Sequence, residues 1–167
     1  PAGANPFFVS GHFDACARLW DLRSPYGLVH EYNTIHKQQI TSVNFSRDGN
    51  VLLTNARDNL LQMIDIRTHK VRHTLFHDEY KNNVNQNKAV MSPCASYVIA
   101  GTSVAKNVCY MWDVSPRAVA MRAAQRTPMK AIVLDGGHRQ AITGCAWSPD
   151  GAQIASVSID KQLVVYQ

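Results

Sequence analysis

An all-β repeat fold is predicted by three observations on the sequence. A turn signal of one kind recurs between two short apolar runs. It appears as VNFSRDG (43–49) before NVLLTNA (50–56), AVMSPCA (89–95) before SYVIAGTS (96–103), and CAWSPDG (145–151) before AQIASVS (152–158). A third β-prone run follows each pair: LLQMIDI (60–66), NVCYMWDV (107–114) and QLVVYQ (162–167). No window sustains the 3.6-residue apolar period of an amphipathic helix.

Taken in order, SGHFDACARLWDLRS (10–24) reads as the second and third strands of a unit, with a fourth strand to follow. The Ser-Arg-Asp-Gly and Ser-Pro-Asp-Gly stretches supply tight hairpin turns, so the runs on either side pair antiparallel. VRHTLF (71–76) reads as an outer fourth strand with mixed faces. Written as strands a to d, the chain contains b–d, a–d, a–d and a–c, fourteen strands in all. Four short antiparallel strands per repeat make a propeller blade. The expectation is one incomplete propeller over 1–167, with blades near 1–33, 34–76, 77–125 and 126–167. This is about three and a half blades of a seven-bladed ring. The open flanks imply that further blades lie upstream in a longer chain.

The register repeats residue by residue. Asp14, Asp58 and Asp160 each precede Trp20, Ile64 and Tyr166 by six, and Ser10, Thr54 and Ser156 stand four before each Asp. His36 and His138 stand four before Ile40 and Ile142. In this register His12 aligns with Ala56 and Ser158, at the end of strand b, and is expected to matter little to folding. The third unit departs most: Asn82 occupies the His position, and the longer turn at 103–107 has no Asp, so its inner network is expected to be absent. The spacing from Trp112 to His138 is the longest of its kind and marks an insertion across 115–135.

This pattern resembles the WD-repeat family. There a His before strand a, a Ser or Thr in strand b, an Asp in the b–c turn and a Trp in strand c bond to one another. The resemblance assigns a structural network to Ser10, Asp14, Trp20, His36, Thr54, Asp58, His138, Ser156, Asp160 and Tyr166. Buried polar groups need such partners, since each one left unpaired costs about 1–3 kcal/mol. Two stretches are more specific. SGHFDACARLWDLRS and LLTNARDNLLQMIDIRTHKVRHTLF, with YVIAGTS and CAWSPDG, look like the last propeller blades of the autophagy-related protein 16-like family. That resemblance implies a non-catalytic scaffold that docks partners and helps recruit a ubiquitin-like conjugation complex to membranes. A general WD-repeat scaffold, or a ubiquitin-ligase substrate receptor unrelated to autophagy, is the alternative.

The remaining residues limit other classes. The 46% hydrophobic content of the 167 residues fits a globular core. No run approaches the roughly 18 apolar residues of a membrane-spanning helix, and PAGANPFFVSG lacks signal-peptide order. The four cysteines form no CxxC pair, which suggests a reduced chain with no zinc or redox centre. The cytoplasm, peripheral to endomembranes, is the expected location. His69, His73 and His77 fall on a turn and an outer strand, too spread for one metal. No cofactor is implied.

Propellers commonly bind partners on the face formed by the loops before strand a and between b and c. Here those loops offer Lys37, Gln38, Arg57, Arg139 and Gln140. With a net charge of +5, they point to acidic proteins or peptides. The family resemblance implies indirect association with endolysosomal or autophagic membranes. The basic residues are not interleaved with aromatics, so nucleic acid is not the expected partner.

Overall fold

A computed structural model describes residues 6–103, 107–125 and 129–167. Four antiparallel sheets follow one another along the chain. The first holds β1 (Phe7–Gly11), β2 (Ala17–Asp21) and β3 (Leu28–Tyr32). The second holds β4 (Ile40–Phe45), β5 (Val51–Ala56), β6 (Leu61–Asp65) and β7 (Lys70–Leu75). The third holds β8 (Ala89–Met91), β9 (Tyr97–Gly101), β10 (Cys109–Asp113) and β11 (Ala131–Leu134). The fourth holds β12 (Ile142–Trp147), β13 (Ile154–Ser158) and β14 (Leu163–Tyr166). The all-β propeller architecture read from the sequence is the architecture observed.

Local chemistry explains the turns. Between β4 and β5, Gly49 takes a positive φ of 71°, and between β12 and β13 Gly151 takes 76°. Glycine adopts that region without strain. Between β8 and β9 the same place is held by Ala95 at 54°. The turns before the third strands repeat as well. The carboxylates of Asp14, Asp58 and Asp160 accept from the amides of Cys16, Leu60 and Gln162, at 3.0, 3.1 and 2.9 Å. The residue after each Asp (Ala15, Asn59, Lys161) sits at positive φ. An Asp carboxylate bonding two residues ahead is the local device that closes such turns.

Two sequence expectations need correction. The 115–135 insertion contains a helix, α1 (Pro116–Gln125), in an otherwise β chain. Its start is built by Ser115, whose Oγ accepts from the Ala118 amide at 3.3 Å, followed by Pro116 in the first turn. The segment is rich in alanine, and none of its residues is buried. Propensity forms this helix without an apolar period, so periodicity could not reveal it. The second correction is the boundary placed at 125. Strand β11 pairs with β10 (Cys109↔Leu134, Trp112↔Ala131), so the third unit extends to Leu134.

The core lies between successive sheets. Leu53, Leu61, Met63, Val98, Tyr110 and Trp112 pack between the second and third. Leu19, Tyr32, Leu52 and Ile64 join the first to the second. Ile99, Cys109, Ile142, Cys145 and Ile154 join the third to the fourth.

Candidate functional site

One end of the sheets collects the loops that enter the first strands and the turns that link the second to the third. Beneath these loops the second and fourth sheets carry matching polar groups. His36 Nδ1 lies 3.0 Å from Asp58 Oδ2, and its Nε2 lies 2.8 Å from Thr54 Oγ1. His138 repeats this with Asp160 Oδ2 at 3.3 Å and Ser156 Oγ at 2.8 Å. An ionised carboxylate only accepts, so Nδ1 donates in both pairs. Burial opposes the charge on Asp58, but hydrogen bonds from His36 and the Lys37 amide outweigh it and hold the carboxyl below its usual range. The Arg139 amide is the largest influence on Asp160, and with the Gln162 amide it brings that carboxyl down to about 2.

The third-strand position closes each network differently. Trp20 Nε1 donates to Ser10 Oγ at 2.8 Å, and the Tyr166 hydroxyl lies 3.3 Å from Ser156 Oγ. Ile64 has no polar atom to offer Thr54. There the buried Gln62 extends the network instead, donating to the Ile35 carbonyl at 3.1 Å and accepting from Thr74 at 2.7 Å. In the first sheet His12 Nε2 lies 2.7 Å from Ser10 Oγ, so His12 is a partner of the hydroxyl. The contact joins two side chains on one face, two positions apart. Asp14 is turned outward and pairs with Arg18 at 2.7 Å.

In the third sheet, Ala100 pairs with Tyr110 two residues before Trp112, just as Thr54 pairs with Gln62 two before Ile64. Ala100 therefore replaces the hydroxyl. Trp112 Nε1 donates to the Phe76 carbonyl at 3.2 Å instead. Asn82 turns toward the second sheet and donates to Thr41 Oγ1 at 2.8 Å, the Ala56 carbonyl at 3.0 Å and Asn55 Oδ1 at 3.2 Å.

The hydroxyls of Thr54 and Ser156 are each 0% exposed. A nucleophile for acyl transfer must meet its substrate carbonyl beside an oxyanion hole, and as placed these two meet only protein atoms. Among the described residues no group of three or more His, Cys, Asp or Glu side chains could hold a metal.

Above the networks lie the candidate contact residues. Lys37, Gln38, Arg139 and Gln140 are exposed. The Lys37 amide donates to Asp58 Oδ2 at 2.9 Å, and the Arg139 amide donates to Asp160 Oδ2 at 2.8 Å. Both cationic side chains thus stand on backbone pinned by a carboxylate. Arg57 differs. Its guanidinium donates to the Asn83 carbonyl at 2.8 Å and to Asn85 Oδ1 at 3.3 Å, clamping the turn of one sheet to the loop of the next. The structure adds Asn83 and Asn85 to this surface, drawn in by a loop whose path the sequence pattern did not reveal.

The family described as "WD domain, G-beta repeat" matches residues 28–65 and 130–167. Each match begins on the outer strand of one sheet and ends on the third strand of the next. Protein Atg16l2 of Mus musculus is 33% identical over 95% of this chain and 23% of its own length. Autophagy-related protein 16 of Arabidopsis thaliana is 32% identical over 88% of this chain and 26% of its own. The guanine nucleotide-binding protein subunit beta of Arabidopsis thaliana is 30% identical over 99% of this chain and 41% of its own. The chain therefore spans about a quarter of the length of the autophagy-related relatives it matches. A chain of the solved "Crystal Structure of Mitotic Checkpoint Complex" superposes with a TM-score of 0.75 at 17% identity, covering 97% of this chain and 45% of that one. This last likeness is one of fold alone.

Proposed function

We propose that this chain, which carries WD repeats and resembles Atg16-like proteins, is a non-catalytic docking scaffold that binds acidic proteins or peptides through its rim. The observation that carries the reading is the pair of exposed cations, Lys37 and Arg139, whose backbone amides are fixed by buried-edge carboxylates. A cation on fixed backbone loses less freedom on binding than one on a mobile loop. Complementary charge then sets encounter rate and specificity. In a longer Atg16-like protein, such docking serves to bring a ubiquitin-like conjugation complex to endolysosomal or autophagic membranes, from the cytoplasm.

The test uses an acidic peptide panel and the Lys37→Glu, Arg139→Glu double variant. Binding is expected to weaken about tenfold and to lose its salt dependence. Equal affinity for the panel before and after charge reversal sinks the reading. Arg57 is left intact, because reversing it breaks the clamp to Asn83. A second reading, a general WD scaffold outside autophagy, draws support from the comparable identity to the G-protein beta subunit. Failure of a longer protein containing this chain to associate with autophagic membranes, with peptide binding retained, favours that second reading.

A further inference from the structure

Two buried thiols meet where the third and fourth sheets pack. Cys109 on β10 and Cys145 on β12 place their Sγ atoms 3.6 Å apart, at 0% and 8% exposure. They come from different sheets and are separated by 36 positions in sequence. Both are free thiols, as are Cys16 and Cys94. The contact lies inside the apolar cluster that joins these two sheets, among Ile99, Ile142 and Ile154.

Three features distinguish this pair from two cysteines that only fill space. First, the sulfurs are already directed at each other, and a disulfide requires them to close to about 2.05 Å. Second, the pair is not sealed. Cys145 forms part of the wall of a cavity of about 440 Å³, shared with Asn44, Val90, Met91 and Trp147, which a small oxidant can enter. Third, the surroundings favour ionisation of one member. A hydrogen bond from Cys145, with further ones from Tyr166 and Ser156, draws the Cys109 thiol below its ordinary range, while the same contact and burial push Cys145 well up. The first proton therefore leaves the pair from Cys109.

We propose that Cys109 and Cys145 are a redox modification site: hydrogen peroxide converts them to a disulfide that staples the third sheet to the fourth. The pair first loses one proton to solvent. The Cys109 thiolate attacks one peroxide oxygen, an S–O bond forms and the O–O bond breaks. Hydroxide leaves and takes up a proton as water, and a sulfenic acid remains on Cys109. The Cys145 sulfur then displaces the sulfenic hydroxyl. An S–S bond forms, the S–O bond breaks, and the hydroxyl leaves with the Cys145 proton as a second water. Two thiols are oxidised, and one peroxide is reduced to two waters. Sulfenic acids condense in this way with a neighbouring thiol.

The experiment treats the folded chain with hydrogen peroxide at neutral pH, blocks remaining thiols by alkylation, and maps an unreduced digest by mass spectrometry. The expected result is a linked peptide pair containing Cys109 and Cys145, and a fall from four alkylatable thiols to two. The same link should appear in Cys94→Ser, vanish in Cys109→Ser, and reverse with dithiothreitol. The oxidised chain should melt roughly 5–10 °C higher, as expected for a cross-link closing a loop of this length. Recovery of Cys109 and Cys145 as separate alkylated or over-oxidised residues overturns the proposal, as does a link from either one to Cys94 or Cys16. Because the decisive reading comes from the unaltered chain, a variant that fails to fold leaves the outcome clear.

Discussion

Between the first and second sheets, and again between the third and fourth, a glycine faces an isoleucine. A Cβ added to Gly11 would stand 2.6 Å from Ile40 Cγ2, and one added to Gly101 would overlap Ile142 Cγ2. The backbone repeats too: the Ile40 amide donates to the His12 carbonyl at 3.0 Å, and the Ile142 amide to the Thr102 carbonyl at 3.2 Å. The junction between the second and third sheets uses different chemistry. Asn55 stands where the glycines stand. It accepts from Tyr80 at 3.0 Å and from Asn82 at 3.2 Å, and it donates to the Asn87 carbonyl at 3.4 Å. The carbonyl of Ala56, at the position of His12 and Thr102, is taken by the Asn82 side chain. One kind of junction is held by close apolar approach, the other by a buried amide network.

The repeats differ in where they place their polar partners. In the second and fourth sheets, His36 and His138 bond within their own unit. In the third, Asn82 bonds to the preceding one, and the hydroxyl that would have satisfied a histidine has become Ala100. Each choice is consistent with the other, since a histidine at 82 would find neither hydroxyl nor carboxylate in place. Buried amide networks gain strength only when fully satisfied. Asn82 Oδ1 and Asn87 Oδ1 have no partner among the described residues, and neither has Trp147 Nε1 at the next junction.

The largest effect is expected at the polar junction. Asn82→Ala removes the hydrogen bonds donated to Thr41, Asn55 and Ala56 and leaves a gap at the junction, and should cost about 3 kcal/mol in a urea melt. A loss under about 1 kcal/mol would mean that the apolar cluster alone holds these sheets. Gly101→Ala probes the other kind of junction. Its new methyl meets Ile142, so destabilisation of about 2 kcal/mol is expected, relieved in part by Ile142→Ala. Additive losses would show that the two residues do not meet as described.

Acid sharpens the contrast with a smaller effect. The Asp58 and Asp160 carboxyls sit below their ordinary value of 3.8 in the folded chain. A carboxyl lowered by folding contributes stability above its unfolded pKa and loses it as pH falls through the folded one. The second and fourth sheets should lose this contribution between about pH 4 and pH 2, the latter set by Asp160. Asp160→Asn should make the acid limb of the stability profile shallower. An unchanged limb would remove the carboxylate from the account.

Much of this was legible in the sequence, for a physical reason. The Ser-Pro-Asp-Gly turns and the Asp-to-aromatic spacing are local devices, and local devices leave local patterns. The partners of His36 and His138 could be placed because the resemblance to WD repeats implied them, and they lie within one sheet. The helix at Pro116–Gln125 left no period, since none of its residues is buried. The network around Asn82 was not legible either, because its partners lie in another sheet, and only the packing of two units brings them together. Arg57 looked like a free rim cation for the same reason. Its acceptors, Asn83 and Asn85, come from the next unit's loop.

In the second and fourth sheets a carboxylate beneath the rim fixes the backbone of the entering loops, while the third uses a hydroxyl. There the Asn83 amide donates to Ser103 Oγ at 2.6 Å. Amide hydrogen exchange reads this directly at Lys37, Asn83 and Arg139. Asp58→Ala is expected to speed exchange at Lys37 about tenfold, Asp160→Ala to do the same at Arg139, and Asn83 to stay protected in both. Lys37 and Arg139 exchanging as fast in the unaltered chain as in the variants would contradict it.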